Sequence, residues 1–114
     1  MLRYVVLRHE GIADPHFDLM FETAPGSALK SWRSPAWPIV ELTPLVELGD
    51  HRREYLEYEG PISNNRGNVR CTCRGSLSII STSEAQWRIV LDDPYAELLI
   101  AKTLDAWFAT LLPE

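Results

Sequence analysis

Two histidines and a carboxylate stand close together in the stretch Arg8-His9-Glu10-Gly11-Ile12-Ala13-Asp14-Pro15-His16-Phe17-Asp18-Leu19-Met20-Phe21-Glu22. His16 and Asp18 are spaced i and i+2, so on an extended strand their side chains leave one face while Phe17, Leu19 and Phe21 line the other. His9 follows the apolar run Tyr4-Val5-Val6-Leu7, and a turn over Gly11 to Pro15 can fold it back beside His16. Two imidazoles and one carboxylate then converge, a donor set that suits Mn2+, Zn2+ or Fe2+ alike. Any one of these histidines by itself reads as a hydrogen-bonded structural residue; their spacing is what points to a metal.

The 114 residues make one expected domain, 1–114, long enough to bury a single core without disulfides or metal. No stretch has the pattern of a signal peptide, and the apolar runs fall short of the ~20 residues a membrane helix needs. A cytoplasmic protein without membrane contact is therefore expected. Cys71 and Cys73 are too close in sequence to bridge within a strand and read as two small residues on one face of it. The net charge of −5 argues against non-specific nucleic-acid binding driven by phosphate neutralisation. Arg52, Arg53, Arg66, Arg70 and Arg74 nevertheless cluster in the middle third and leave room for a local basic groove.

The elements that must position the histidines are short strands. Leu2 to Leu7 and His16 to Glu22 are rich in aromatic and branched residues, and Leu29 to Arg33 follows a Thr23-Ala24-Pro25-Gly26-Ser27 turn. The prolines of Ser34-Pro35-Ala36-Trp37-Pro38 close that strand. Ile39 to Leu48 alternates poorly around Pro44 and reads as irregular, with a short strand near Leu45 to Leu48. Asp50 to Glu59 reads as a short helical turn with Asp50 as N-cap, ended by Gly60-Pro61. Asn64 to Asn68 is a turn into a strand over Val69 to Arg74, and Leu77 to Ile80 and Gln86 to Leu91 are further strands. This pattern predicts a mainly β fold, a small closed or nearly closed β-barrel with one or two short helical turns. At the C-terminus Tyr95, Leu98, Leu99, Leu104, Trp107, Phe108, Leu111 and Leu112 recur at helical spacing after Asp93-Pro94, so pattern alone favours a helix there.

Taken together, His9, His16-Phe17-Asp18-Leu19-Met20-Phe21-Glu22, Leu29-Lys30-Ser31-Trp32, Asp50-His51-Arg52-Arg53-Glu54-Tyr55 and Tyr58-Glu59-Gly60-Pro61-Ile62 resemble, in order and spacing, the 3′-phosphoesterase domain of bacterial DNA ligase D. The resemblance covers roughly the first two thirds of the chain strongly, and the rest weakly through Arg66-Gly67-Asn68-Val69 and Arg74-Gly75. It implies a compact barrel-like fold and a manganese-dependent activity that trims 3′-phosphates and 3′-ribonucleotides from DNA ends, leaving a 3′-hydroxyl. It further implies His9, His16 and Asp18 as metal ligands, His51 and Tyr55 as the groups on the scissile phosphate, and Lys30 as a basic substrate contact; Arg52 and Arg66 are further candidates to bind substrate. Expected partners are DNA 3′ ends in primer-template, nicked or broken duplex, with a DNA ligase or polymerase acting in trans. The family's last elements are strands, so the expectation at the C-terminus becomes a hairpin of Tyr95 to Ala101 and Ala106 to Leu112 turning over Lys102 to Asp105, with the helix as alternative.

Three departures bear on activity. Met20 stands where the family usually has an arginine, Leu7 where it has a glutamine and Gly49 where it has a glutamate. A charged hydrogen bond contributes ~1.5–3 kcal/mol, so losing a phosphate-clamping guanidinium implies a roughly ten- to hundred-fold slower reaction unless Arg52, Arg53 or Arg66 substitutes. A degenerate, non-catalytic module that binds metal or a DNA end in repair is the alternative function. A non-haem iron oxygenase, suggested by His-x-Asp with a distal His51, ranks last because the chain is short for that barrel and leaves His9 without a role. Trp32 and Trp37 can stack on a frayed base, though core or turn packing suits them better.

Overall fold

The structure is a computed structural model that describes residues 1–92 and 95–113. Nine strands follow in order: β1 (Leu2–Glu10), β2 (His16–Glu22), β3 (Leu29–Ser34), β4 (Thr43–His51), β5 (Gly60–Pro61), β6 (Asn68–Thr82), β7 (Gln86–Leu91), β8 (Ala96–Thr103) and β9 (Ala106–Leu111), with one 3-10 turn at Arg53–Leu56. Every pairing is antiparallel, in the order β1-β2-β3-β4-β9-β8-β7-β6-β5. β1 pairs with β6 as well as β2, so the sheet comes back on itself as a near-closed ring, which leaves few strand edges unpaired.

Alternation along the strands sends one set of apolar residues into the ring. Trp32 is fully buried among Phe21, Trp87 and Trp107, its ring 5.5–6.0 Å from theirs in tilted or edge-on contact. The outer face of β1, β2 and β3 is covered too: Val5, Leu7, Met20 and Leu29 pack with Leu56 and Val69 beneath the 3-10 turn. Burial on both faces explains why Tyr4-Val5-Val6-Leu7 is continuously apolar rather than alternating. The ring interior is therefore scaffold, and the outer face of β1–β3 is where the site lies.

Several local expectations need correction. β4 runs from Thr43, through Pro44, to His51, and so contains the short strand expected near Leu45 to Leu48 but extends it at both ends; at Pro44 the strand pairs only with Phe108 of β9, an edge-like position that tolerates a residue without an N–H. The two strands expected around Gly75 are one, because Gly75 is not a turn but a close approach: a Cβ there would lie 2.7 Å from the Asp92 carbonyl oxygen. Asp50 belongs to β4 and caps nothing; the turn opens after Arg52 with no side-chain cap. Cys71 and Cys73 do not share a face, since the β1–β6 register shifts between Val6 and Leu7; Cys73 packs on the inner cluster and Cys71 on the outer one.

At the C-terminus the hairpin forms, with Thr103 opposite Ala106 and Leu104-Asp105 as the turn. Leu98, Ile100, Trp107 and Ala109 all point into the core, a period-2 pattern that helical spacing had masked. Asp93-Pro94, the start of the alternative helix, lies outside the described residues. Among the described residues no helix is long and apolar enough to cross a membrane.

Candidate metal centre

The β1–β2 hairpin sets the site by register. His9 faces His16, Leu7 faces Asp18 and Val5 faces Met20, so the three polar residues share the outer face. The imidazole centroids are 4.9 Å apart, and one ligand atom from each of His9, His16 and Asp18 lies within 4.8 Å of the other two. Backbone carbonyls orient both rings: His16 Nδ1 is 2.7 Å from Asp14 O and His9 Nε2 is 2.6 Å from Arg66 O. A carbonyl only accepts, so these nitrogens carry protons, and His16 Nε2 and His9 Nδ1 are the ring atoms left to ligate. Both face Asp18, at 3.1 Å from Oδ1 and 3.6 Å from Oδ2.

That arrangement is electron-rich on every side. Asp18 is 5% exposed, and its Oδ1 has no hydrogen-bond partner among the described residues; the His16 approach, though short, is not aligned as a hydrogen bond. A buried carboxylate oxygen without a partner is costly, and a cation between the three donors removes the cost. The residues therefore fit a divalent metal, with nitrogen and oxygen donors and carbonyl-oriented imidazoles.

The turn after β5 completes the support for His9. Asn64 and Asn65 adopt positive φ, and Gly67 follows at φ 76° with its would-be Cβ 2.1 Å from Glu10 O. Only glycine fits there, and its close approach to β1 is what brings the Arg66 carbonyl to His9. Gly67→Ala should push the turn off β1 and weaken divalent-metal affinity by roughly ten- to hundred-fold, the usual effect of losing an outer hydrogen bond to a ligand. Calorimetric titration with Mn2+ checks this; unchanged affinity would show that the carbonyl is dispensable.

Beyond His9, His16 and Asp18 a pocket of about 390 Å³ is lined also by Met20, Arg33, His51, Tyr55 and Arg66. His51, the last residue of β4, has Nδ1 3.0 Å from Ser31 Oγ and 3.1 Å from Gly49 O. Ser31 Oγ donates its own proton to Leu29 O, so both neighbours of Nδ1 accept; Nδ1 carries the hydrogen and Nε2 is bare. The Tyr55 ring stands edge-on to His51 at 5.7 Å and is backed in turn by Tyr58. Met20 is 1% exposed and forms part of the pocket floor.

The other basic residues divide. Lys30 is on the opposite face of β3 from Ser31 and Arg33, paired with Glu47 at 2.5 Å and lying 5.0 Å from the Trp32 ring. Its hydrogen bond holds the Glu47 carboxyl below the usual range, and Lys30 does not line the pocket. Arg52 lines an adjoining hollow of about 240 Å³ with Tyr55, Tyr58 and Arg66. Arg53 is committed elsewhere, to Glu22 and to Ser27 O.

Two contributors escaped the sequence reading. Arg33 lies directly opposite Asp18 across β2–β3, a neighbour that alternation indicates only once the register is known. Glu22, 2% exposed, accepts from the backbone N–H of Arg3 at 2.7 Å, from Gly26 and from Arg53, and so ties the 3-10 turn that carries Tyr55 to the end of β2. Burial pushes the Glu22 carboxyl up, but the Arg53 hydrogen bond, the two amides and the Arg53 charge outweigh it and hold it below its ordinary 4.5. A depressed carboxylate stabilises fully above 4.5, and that contribution is lost as pH falls from there through the folded-state value. Glu22→Gln should cost about 2 kcal/mol at neutral pH, at the lower end for a charged cluster because Arg53 is part-exposed. Urea melts from pH 7 to 3 should show a flatter acid limb in the variant; parallel limbs would remove Glu22 from the account.

Compared with known proteins, the chain matches no family model and no curated protein.

Proposed function

We propose that this chain is a divalent-metal-dependent 3′-phosphoesterase acting on 3′-phosphate or 3′-ribonucleotide ends of DNA in end repair, with Mn2+ as the first metal to test and Zn2+ as the next. The observation that supports this most is convergence: β1, β2, the end of β4 and the 3-10 turn bring His9, His16, Asp18, His51 and Tyr55 to one pocket, and these are the residues that the resemblance assigns to metal and phosphate. Bound by His9, His16 and Asp18, a divalent ion supplies Lewis acidity to a phosphoryl oxygen and acidifies water.

The chain's own groups do the rest. His51, fixed by Ser31 and Gly49, presents Nε2 to take the proton of the attacking water, while the departing 3′-oxygen on the opposite side of phosphorus takes a proton from solvent. At a 3′-phosphate end the new bond is water oxygen to phosphorus and the broken one is phosphorus to O3′, so the products are inorganic phosphate and a 3′-hydroxyl. Tyr55 limits rotation of the His51 ring and offers a phenolic hydroxyl to the phosphate. DNA enters from the Arg52–Tyr58–Arg66 side, where the second hollow adjoins the first and shares Tyr55, Ile62 and Arg66 with it. A DNA ligase or polymerase acting in trans would use the 3′-hydroxyl.

One observation favours the second reading, a non-catalytic metal- or end-binding module: Met20 brings a neutral thioether where the resembled family carries an arginine. A 3′-phosphorylated primer-template incubated with the Mn2+-loaded protein separates the two. Phosphate release that His51→Ala abolishes supports the esterase, whereas binding without release supports the module.

A further inference from the structure

Arg33 is, among the described residues, the arginine lining the pocket that the proposed reaction has not used. It stands on β3 directly opposite Asp18 and lines the same pocket, yet among the described residues it makes no ion pair with the Asp18 carboxylate. Its ionic partner is the Asp14 carboxylate, at 3.8 Å and itself 83% exposed, a weak surface contact. Its Nε is shielded from water and has no hydrogen-bond acceptor among the described residues. A guanidinium is a planar fork of five donors suited to two oxygens of one phosphate. Here that fork, on a side chain 41% exposed, is held by a strand beside a metal-ligand set.

Met20, one pleat along β2 from Asp18, offers no charge, and Arg53 is spent on Glu22. Arg66 donates Nε and Nη2 to Ser63 at 2.8 and 3.0 Å, which ties one edge of its fork to the turn after β5. We infer that Arg33 clamps the terminal phosphate monoester of the substrate, reaching it from β3 and replacing the guanidinium that Met20 lacks; the inference rests on the proposed phosphoesterase reading for its substrate class. A terminal phosphate offers non-bridging oxygens to both the fork and the metal-ligand side of the pocket, so the two wings of Asp18's surroundings would grip one group.

The test is calorimetric titration of the full chain with inorganic phosphate and with thymidine 3′-phosphate, alongside titration with Mn2+ and phosphate release from a 3′-phosphorylated primer. Arg33→Gln should weaken both phosphate ligands by about tenfold or more, the effect of losing a charge-assisted pair of hydrogen bonds, while Mn2+ affinity moves less than about threefold. Arg33→Lys should fall between, since it keeps the charge and loses the fork. Unchanged phosphate affinity in Arg33→Gln overturns the inference, as does a parallel loss of Mn2+ affinity, which would make Arg33 a support for Asp18. Arg33-dependent phosphate binding without any phosphate release sinks the esterase reading and keeps the clamp; release at wild-type efficiency by Arg33→Gln does the reverse.

Discussion

Asp18→Asn abolishes divalent-metal binding yet makes the metal-free protein more stable. The two halves of this expectation come from one geometric fact, that a buried Asp18 carboxylate oxygen lies 3.1 Å from His16 Nε2 with no hydrogen-bond partner among the described residues. An asparagine amide in that place donates to His16 Nε2, and the orphaned acceptor disappears; relief of a buried unsatisfied group is worth ~1–3 kcal/mol. The same change removes the anionic ligand. In the wild type, Mn2+ at a hundredfold excess over its Kd should add about 2.7 kcal/mol, on the order of 10 °C in Tm for a chain this size. In Asp18→Asn that increment should vanish while the metal-free Tm rises. His16→Ala separates the contributions, losing metal by on the order of a hundredfold or more without gaining a donor. Thermal melts of all three proteins with and without Mn2+ decide the matter: equal metal-induced shifts in wild type and Asp18→Asn would mean that the carboxylate is not a ligand.

The parts of this site that the sequence revealed are those written in local alternation. His16 and Asp18 share a face because a strand has period 2, and His9 returns beside His16 because Gly11 to Pro15 is a turn; both follow from residues within one hairpin. Arg33 was not legible, since its place opposite Asp18 depends on the β2–β3 register, which residues 23–28 set through a loop rather than a two-residue turn. Glu22 was hidden for a similar reason: it reads as a polar strand end, and only Arg53, brought from far along the chain, makes it a buried anchor. The β4 strand was obscured by Pro44, whose cost is absent where the strand has one neighbour. Lys30 shows where motif and strand alternation point differently. Its position in a matched block suggested substrate, whereas period 2 sets it on the face away from Ser31 and Arg33, against Trp32 and Glu47.

Met20→Arg tests how the pocket manages phosphate with a thioether in its floor. Alone, the change should leave phosphate release flat or lower, because a second guanidinium beside Arg33 repels it and must leave an apolar cluster of Val5, Leu7 and Leu29. The arginine stem can replace the methionine stem while the head reaches into the pocket, past Ser31 on the facing strand, so the variant is expected to fold. The informative background is Arg33→Gln. There the pocket has lost the clamp that we assign to β3, and Met20→Arg should restore phosphate release by roughly ten- to a hundred-fold, since ~1.4 kcal/mol of recovered transition-state stabilisation is already tenfold. The double-mutant cycle would then show strong coupling between two positions on adjacent strands of the same face. Rescue of kcat/KM in the double variant, with Mn2+ affinity unchanged throughout, means that one guanidinium is required and either strand can supply it. An increase for Met20→Arg in the wild-type background equal to that in Arg33→Gln would instead show that the two sites act independently, and that Arg33 does not occupy the place of the missing arginine.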